Sequence, residues 1–466
     1  MTLDESARRR PDFPVRQLAI LLTCRLVEPL AISSIIPYLF SMVKFASPNL
    51  SDTEATRYVT LVFSVYSFAQ FGTNIIWGRI SDRIGRRPVM LFGLVGILAS
   101  TIAFAFSTSV SSIFVSRIAA GLLSGNIVIT RTMIGDMVHG RENKARAFAW
   151  NQTAYQIGTV VGPIIGGYLV EPCTQFPSIC SRGRMALFEA YPFALPNIII
   201  AGLIATSLVV AYFFMEESLV MKSPSDPAIS EDSSLLQPDQ ATKTSATVSV
   251  LEPRVIHVVV SYGFMALHTI CFDQIFPAFL ATSAAESKMP FKLNGGLNMS
   301  SATVASFISA SGILSIALMI TIFPPVDTYF GSLPCMRASL VLYPIIYALL
   351  PDLAALPDTP AWIRLGCVAL LLGAKTLASV FAFNDNAILL NVVTPSPNAL
   401  GLINGVAQTA AAGARAMGPA LMGVFIGLGE RVGTGALGWW FLAVVAAVGV
   451  IQGLWVSDDG EEEDET

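Results

Sequence analysis

Apolar runs of about twenty residues recur along the whole length of this chain. A helix of about 20 apolar residues spans the roughly 30 Å hydrocarbon core of a membrane, whereas the helices of a soluble bundle would carry a polar face that these runs lack. Only 13% of the 466 residues are charged, which is about half the share in a soluble domain. We therefore predict an all-α membrane protein with about twelve transmembrane helices. The runs lie at 17–44, 57–80, 89–107, 111–134, 147–170, 193–215, 254–282, 302–323, 337–352, 361–391 (one helix, or a shorter helix with a turn), 399–428 and 437–456.

The distribution of basic residues predicts the orientation of these spans. An even number of spans places both termini on the same side of the membrane. If that side is the cytosol, the cytosolic segments hold about twice as many Lys and Arg residues as the outer loops, as the positive-inside rule requires. The first run is too long to be the apolar core of a cleaved signal peptide. Both termini are therefore expected in the cytosol.

One polar segment divides the chain into two related halves. Residues 216–253 are rich in Ser, Pro, Asp and Thr without a helical period, which is typical of a disordered linker. Three motifs recur in the same order on both sides of it: IIPYLF with IFPAFL, DRIGRRP with DTYFGSLP, and GPIIGG with GPALMG. Duplicated six-helix halves with a site between them are a transporter architecture. The predicted segments are a cytosolic tail (1–16), an N-terminal bundle (17–215), a cytosolic linker (216–253), a C-terminal bundle (254–456) and an acidic cytosolic tail (457–466).

The polar loop after the second run carries the most specific motif. Its sequence GRISDRIGRRP resembles the loop signature of the major facilitator superfamily, which has a glycine, an acidic residue four positions later, a second glycine and a basic pair. We name this set the gating motif. Its residues are Gly78, Asp82, Arg83, Gly85, Arg86 and Arg87.

Two further motifs narrow the resemblance. RIAAGLLSGN, with Arg117, resembles a pattern of the proton-coupled members, and GTVVGPIIGG resembles the antiporter motif of drug exporters. CRLVEP and LGLINGVAQTAAAGARAMGP are similar to the zinc-induced-facilitator-like branch of the twelve-helix drug:proton antiporters. The loop around Asp327 lacks the basic cluster that sugar porters keep there, which argues against a sugar porter. We name GTVVGPIIGG the hinge motif. Its residues are Gly158, Gly162, Pro163, Gly166 and Gly167.

The resemblance implies a secondary active transporter that works by alternating access. Within it, proton-coupled export of a small organic solute, drug or metabolite is preferred, and proton-coupled uptake or a non-transporting sensor are the alternatives. The gating motif would connect the cytosolic faces of the halves in one state, although its basic residues could serve orientation alone. The hinge motif allows close helix packing, and its proline removes one backbone hydrogen bond. The expected partners are the solute, protons and the lipid bilayer, with no nucleic acid, and the chain is expected to be monomeric.

Ionisable residues inside the apolar runs mark the candidate site, because a charge at the membrane centre costs about 2.5–3.5 kcal/mol on insertion scales. In this superfamily the first, fourth, seventh and tenth helices line the cavity, and these residues fall on those four. Glu28, Arg117 and Asp273 are the proton-coupling candidates. Arg25 and Glu28 could instead form a structural ion pair, and His268 could be a hydrogen-bonded core residue. The predicted cavity residues are Arg25, Glu28, Arg117, His268, Asp273 and Lys375.

Other chemistry has no support in the sequence. No phosphate-binding loop is present, the histidines and cysteines show no metal-ligand spacing, and no paired nucleophile and base points to an enzyme. We therefore expect neither a cofactor nor a metal. Cys173 and Cys180 share a predicted outer loop and could form a disulfide, and Asn49 and Asn298 are glycosylation sequons on the predicted outer face. The sequence does not distinguish the plasma membrane from the vacuolar membrane.

Overall fold

A computed structural model describes residues 14–138, 141–175, 186–218, 252–283, 295–355, 359–394 and 400–457. Helices account for most of these residues, and a 3₁₀ helix lies at Leu350–Ala355. The helices are α1 (Val15–Ser34), α2 (Leu39–Ala46), α3 (Asp52–Ile84), α4 (Arg86–Ala105), α5 (Val110–Leu123), α6 (Asn126–Met137), α7 (Arg141–Leu169), α8 (Pro172–Gln175), α9 (Ala186–Ala190), α10 (Ala194–Phe214), α11 (Pro253–Ala281), α12 (Ser301–Thr321), α13 (Phe323–Phe330), α14 (Ser332–Leu349), α15 (Ala361–Val392), α16 (Leu400–Val432) and α17 (Leu437–Gly453).

Each predicted apolar run is largely helical in the described part of the chain. Within the described ranges, nine helical spans are long and apolar enough to cross a membrane, and the bent pair α1 and α2 makes a tenth. The other two predicted runs are α7 and the 17-residue α17. The prediction of an all-α, multi-pass membrane protein is confirmed. The tenth run is one continuous helix, α15, so the alternative of a shorter helix with a turn is wrong.

Two of the predicted spans are broken rather than continuous. The first run bends by 56° between α1 and α2, where four turn residues that include Pro37 separate the two helices. The fourth run is interrupted between α5 and α6 at Ser124 and Gly125. Broken helices inside a membrane expose backbone groups, and these groups must find partners within the protein.

The described chain forms two compact units. The first contains residues up to Tyr38 and the stretch that begins at Phe68 and includes α10, and the second contains Leu39–Ser67 together with α11 to α17. The predicted bundles assign residues 39–67 to the N-terminal half, whereas the contacts group them with the second unit. One reason is that the backbone N–H and the hydroxyl of Ser283 both donate to the Asp52 carboxylate.

The cysteines are in two chemical states. Cys173, in the turn of α8, is disulfide-bonded. Its predicted partner, Cys180, lies outside the described residues. The free cysteines of the described part are Cys24, Cys271, Cys335 and Cys367.

Candidate functional site

Glu28 lies in the interior of the first unit and is bound by neutral donors. Only 3% of its surface is exposed. Its Oε1 accepts a 2.5 Å hydrogen bond from the Ser124 hydroxyl and a 2.9 Å hydrogen bond from the Gln70 amide, and Gln70 also donates to Ser124 Oγ at 3.0 Å. One oxygen of the carboxyl group is therefore held by two neutral side chains, whose charge does not change with pH.

Ser124 reaches Glu28 because the helix breaks at that residue. The break leaves the carbonyls at the end of α5 without their helical donors. Two side chains of α3 supply replacements: Thr73 Oγ1 donates to Gly121 O at 3.4 Å, and Trp77 Nε1 donates to Leu122 O at 2.8 Å. Irregular backbone at membrane depth is tolerated where protein buries it, and transporters use such breaks at their sites.

Two buried arginines of the first unit lie against aromatic rings. The Arg25 guanidinium is centred 4.9 Å from the Tyr155 ring, and that of Arg117 is 4.0 Å from the Phe104 ring, distances typical of cation–π contacts. Arg25 Nη1 is 4.0 Å from Glu28 Oε2, which is too long for a hydrogen bond. The Arg25–Glu28 interaction is thus an electrostatic contact without the close geometry of a structural ion pair.

The second unit pairs its carboxylate with a cation. Lys375 Nζ donates to Asp273 Oδ1 at 2.5 Å, and the Asp273 side chain is 53% exposed while that of Lys375 is 8% exposed. The ammonium also lies 4.9 Å from the centre of the Phe272 ring. The sequence offered no partner for Lys375, and the structure brings Asp273 and Lys375 together across 102 residues.

His268 belongs to a buried aromatic cluster. Its Nδ1 forms a 2.9 Å hydrogen bond with the hydroxyl of Tyr347. Its ring centre is 4.5 Å from that of Tyr343 and 5.5 Å from that of Tyr347, and only 1% of the residue is exposed. This geometry favours the core alternative over a direct role in solute binding.

The gating motif forms the junction between α3 and α4. Gly85 has φ of 108°, a conformation that favours glycine, and the next two backbone N–H groups donate to the Glu217 carboxylate at 2.8 and 3.1 Å. The Arg86 guanidinium contacts Asp136 Oδ2 at 3.4 Å. These partners all belong to the first unit. The side chain of Asp82, the acidic member of the motif, lies outside the described residues.

The hinge motif brings α7 against the backbone of α1. A Cβ added at Gly158, Gly162 or Gly166 would come within 2.8 Å of a backbone oxygen of α1, and at Gly166 within 1.8 Å of Ser34 O. The Ser33 hydroxyl also donates to Gly158 O at 3.1 Å. The glycines thus allow an approach that any larger residue would prevent. Pro163 and Gly167 are buried within the same helix.

Four functional candidates escaped the sequence reasoning. Gln70 and Ser124 are neutral and lie 42 and 96 residues from Glu28, so no local pattern connects them with it. Glu217 gave no signal because it follows α10 in a polar stretch. Asp385 did give one, since an aspartate inside the tenth apolar run is costly. It is fully buried.

Comparisons with known proteins agree on one family. A model described as Major Facilitator Superfamily matches residues 21–419. The chain is 31% identical to the major facilitator superfamily multidrug transporter mfsB of Aspergillus fumigatus, over 97% of this chain and 85% of that protein. It is 25% identical to ZINC INDUCED FACILITATOR-LIKE 1 of Arabidopsis thaliana, over 96% and 93% of the two chains. The crystal structure of the nucleoside transporter NupG matches with a TM-score of 0.64 at 14% identity, over 94% of this chain and 98% of that one, and shares the fold.

Proposed function

This chain belongs to the major facilitator superfamily, as the gating motif predicted, and from that premise we propose that it exports a small organic solute in exchange for protons. Membrane transport itself is the activity of the family. The observation that carries the proton coupling is the environment of Glu28, a 3% exposed carboxyl group held by the Ser124 hydroxyl and the Gln70 amide.

Neutral donors suit a carboxyl group that changes its charge. Burial favours the protonated form of a carboxyl group, and nearby cations and hydrogen bonds favour the ionised form. Arg25 Nη1, 4.0 Å from Glu28 and without a hydrogen-bond partner among the described residues, is placed to stabilise the ionised form when the two approach more closely. Uptake of a proton would neutralise Glu28 and leave Arg25 stacked on Tyr155. We propose that alternating access shifts this balance between the two sides of the membrane.

Asp273 is the competing proton carrier. Its carboxylate contacts the Lys375 ammonium directly, so protonation of Asp273 would leave a largely buried cation without its counter-ion. That outcome is costly in a protein interior. Glu28 is therefore the main proton-coupling residue in this proposal, and Arg117, which lies over Phe104, has an electrostatic role.

The energy of one proton is sufficient for export. At about 100 mV, one inward proton releases about 2.3 kcal/mol, and a difference of about one pH unit adds about 1.36 kcal/mol. The sum supports roughly a 500-fold gradient of a neutral solute for each proton. Export is preferred over uptake because the hinge motif resembles that of the drug exporters and because the relative mfsB is named as a multidrug transporter.

The remaining features of the proposal follow from the sequence. Both termini and the linker lie in the cytosol, the transporter acts as a monomer of two six-helix bundles, and it resides in the plasma or vacuolar membrane. The gating motif controls the conformational cycle, with Asp82 as its acidic residue. Arg25 and Lys375 complete the cavity lining, while His268 belongs to the aromatic core beside it.

The direction of transport tests the proposal. A panel of labelled organic solutes is first screened for reduced accumulation in a strain that lacks its own exporters, and the solute found is then loaded into vesicles that contain the purified protein. Imposing an inward or an outward proton gradient on the same vesicles should drive the solute in opposite directions, always against the proton flux. Counterflow without a gradient separates transport from a sensor.

Two results would contradict the proposal. Solute and protons moving in the same direction would establish uptake by symport instead of exchange. Binding of the solute without counterflow would establish a sensor. The transporter can insert into the vesicle membrane in two orientations. A protease added outside cleaves a site placed in the linker in only one of them, so that the transport of one orientation is counted.

A further inference from the structure

A second buried carboxyl group, that of Asp385, lies in α15 without any donor. None of its surface is exposed, and neither carboxylate oxygen has a hydrogen-bond partner in the described part of the chain. The charged group that acts on it is another carboxyl group, that of Asp327 in α13, a helix that packs against α15. Two ionised carboxylates cannot donate to each other, so a hydrogen bond between them forms only when a proton is added.

The groups around Asp385 do not supply a counter-charge. Among the described residues, the charged group that acts on Asp385 is Asp327. Lys375 of the same helix is bound to Asp273, and Arg337 of α14 donates to the carbonyls of Leu454 and Val456. The other titratable groups on the described elements packed against α15 are Cys335, Tyr343 and Tyr347 of α14, Arg254, His257, Tyr262, His268 and Cys271 of α11, Tyr329 of α13, Asp352 of the 3₁₀ helix, and Arg415, Glu430 and Arg431 of α16.

The equivalent place in the first unit has a cation. There, Gly85 is followed by Arg86, whose guanidinium contacts Asp136 of α6. In the repeated motif of the second half, Gly331, which also has a positive φ, is followed by Ser332. Ser332 donates to Asp327 Oδ1 at 2.7 Å but brings no charge. The second half has therefore lost the cation and kept the carboxylate.

We propose that Asp385 and Asp327 form a proton-binding site in which one proton is shared between the two carboxyl groups. Two carboxylates in one buried place cannot both ionise at low cost, so one holds a proton. Asp327 is partly exposed, which gives the proton a route to water. The exchange is a simple one: the pair loses one proton to water and becomes doubly charged, or regains it. This inference goes beyond the proposed function, since it requires neither a solute nor transport.

Infrared spectroscopy of the full-length protein in lipid nanodiscs tests the site directly. At neutral pH the parent should show the carbonyl stretch of a protonated carboxylic acid that is absent from Asp385→Asn, because an amide can donate to Asp327 without a bound proton. Ser332→Arg should remove the same band while keeping both acids, since it restores the cation that Arg86 provides in the first half. Asp136→Asn is the matched control and should leave the band unchanged, because Asp136 is already paired with a cation.

The pH dependence of the unfolding temperature is a second test, which remains available if Asp385→Asn folds poorly. The folded parent holds a proton that the unfolded chain releases at neutral pH, so its unfolding temperature should fall as the pH rises. Ser332→Arg should reduce this slope. The proposal is overturned if the band in Asp385→Asn is as strong as in the parent, or if the parent and Ser332→Arg unfold with the same dependence on pH. Neither result bears on Glu28, so the proposed function stands or falls separately.

Discussion

Glu28 in α1 and Asp273 in α11 are both carboxyl groups within a membrane span, yet their surroundings differ. Glu28 is almost fully buried and is held by a hydroxyl and an amide. Asp273 is half exposed and is held by the ammonium of Lys375. Glu28 accepts hydrogen bonds from neutral groups and has the nearest Arg25 nitrogen 4.0 Å away, whereas Asp273 accepts a hydrogen bond directly from an ammonium, which its protonation would break. The two halves thus differ in the group that holds the carboxylate, a hydroxyl and an amide in the first and an ammonium in the second.

The two halves also differ in what surrounds matching glycines of the repeated motif. Gly162 in α7 and Gly418 in α16 occupy equivalent places in the repeated motif GPIIGG and GPALMG. A Cβ at Gly162 would meet the backbone of α1, with Leu30 O at 2.8 Å, while a Cβ at Gly418 would meet the side chains of Cys271 and Leu267 at 2.8 and 2.9 Å. Side chains can move aside and a helix backbone cannot.

The largest effect is expected from substitutions at these two glycines. Gly162→Ala should destabilise the fold by about 3 kcal/mol or more, the upper end of overpacking costs, because the new methyl group forces α1 and α7 apart. Gly418→Ala should cost less than about 1 kcal/mol, since an alanine is favoured in a helix and the neighbouring side chains can adjust. The unfolding temperatures of the two purified variants measure these costs. An equal decrease in both would show that the two glycines are packed with equal rigidity.

The next largest effect is expected at the Asp273–Lys375 pair, where substitution of the aspartate should cost more stability than substitution of the lysine. Asp273→Asn strands an ammonium that is 8% exposed and should cost about 2 kcal/mol, less than the 3–5 kcal/mol of a fully buried pair because solvent reaches Asp273. Lys375→Met leaves a half-exposed carboxylate and should cost less than half as much. The double variant should recover most of the loss. A cycle of unfolding free energies measures all three, and strictly additive costs would show that the pair does not interact.

A smaller effect is expected at Ser124, which holds Glu28. Ser124→Ala removes one donor to the carboxylate and disfavours its ionised form by about 1.5 kcal/mol. The pH at which coupled transport is half-maximal should therefore rise by about one unit, with protein abundance unchanged. Ser116→Ala is the control, because the Ser116 hydroxyl bonds to Ile113 O within the same helix. A shift of equal size in both variants would remove Ser124 from the proton pathway.

The sequence predicted the spans well because hydropathy is a local property. Each of the twelve apolar runs became helix, and the glycine spacing of the hinge motif anticipated close packing. The breaks at Pro37 and at Ser124 were missed, since a short turn between apolar residues leaves the run intact. Partners at long range were missed as well. Lys375 and Asp273 are 102 residues apart, and only the folded chain shows that they meet.

The candidate site was predicted residue by residue but not as an arrangement. A charged residue inside an apolar run is conspicuous, so Arg25, Glu28 and Lys375 were found from the sequence. Gln70 and Ser124 are uncharged and common in membrane helices, and nothing local marks them. The equivalence expected between Glu28 and His268 concerns position only, because His268 is enclosed by Tyr343 and Tyr347 and its Nδ1 is hydrogen-bonded within that aromatic cluster.

The assignment of proton coupling to Glu28 is tested by transport in vesicles that contain Glu28→Gln, with the solute that the parent transports and with Asp273→Asn as the matched variant. Exchange of labelled for unlabelled solute requires no net proton movement, whereas accumulation against a gradient does. Glu28→Gln should exchange the solute at a rate near that of the parent and should fail to accumulate it under a proton gradient, while Asp273→Asn should retain some accumulation in proportion to its folded fraction. Accumulation by Glu28→Gln equal to that of the parent, together with its loss in Asp273→Asn, would contradict the account and place the proton carrier in α11.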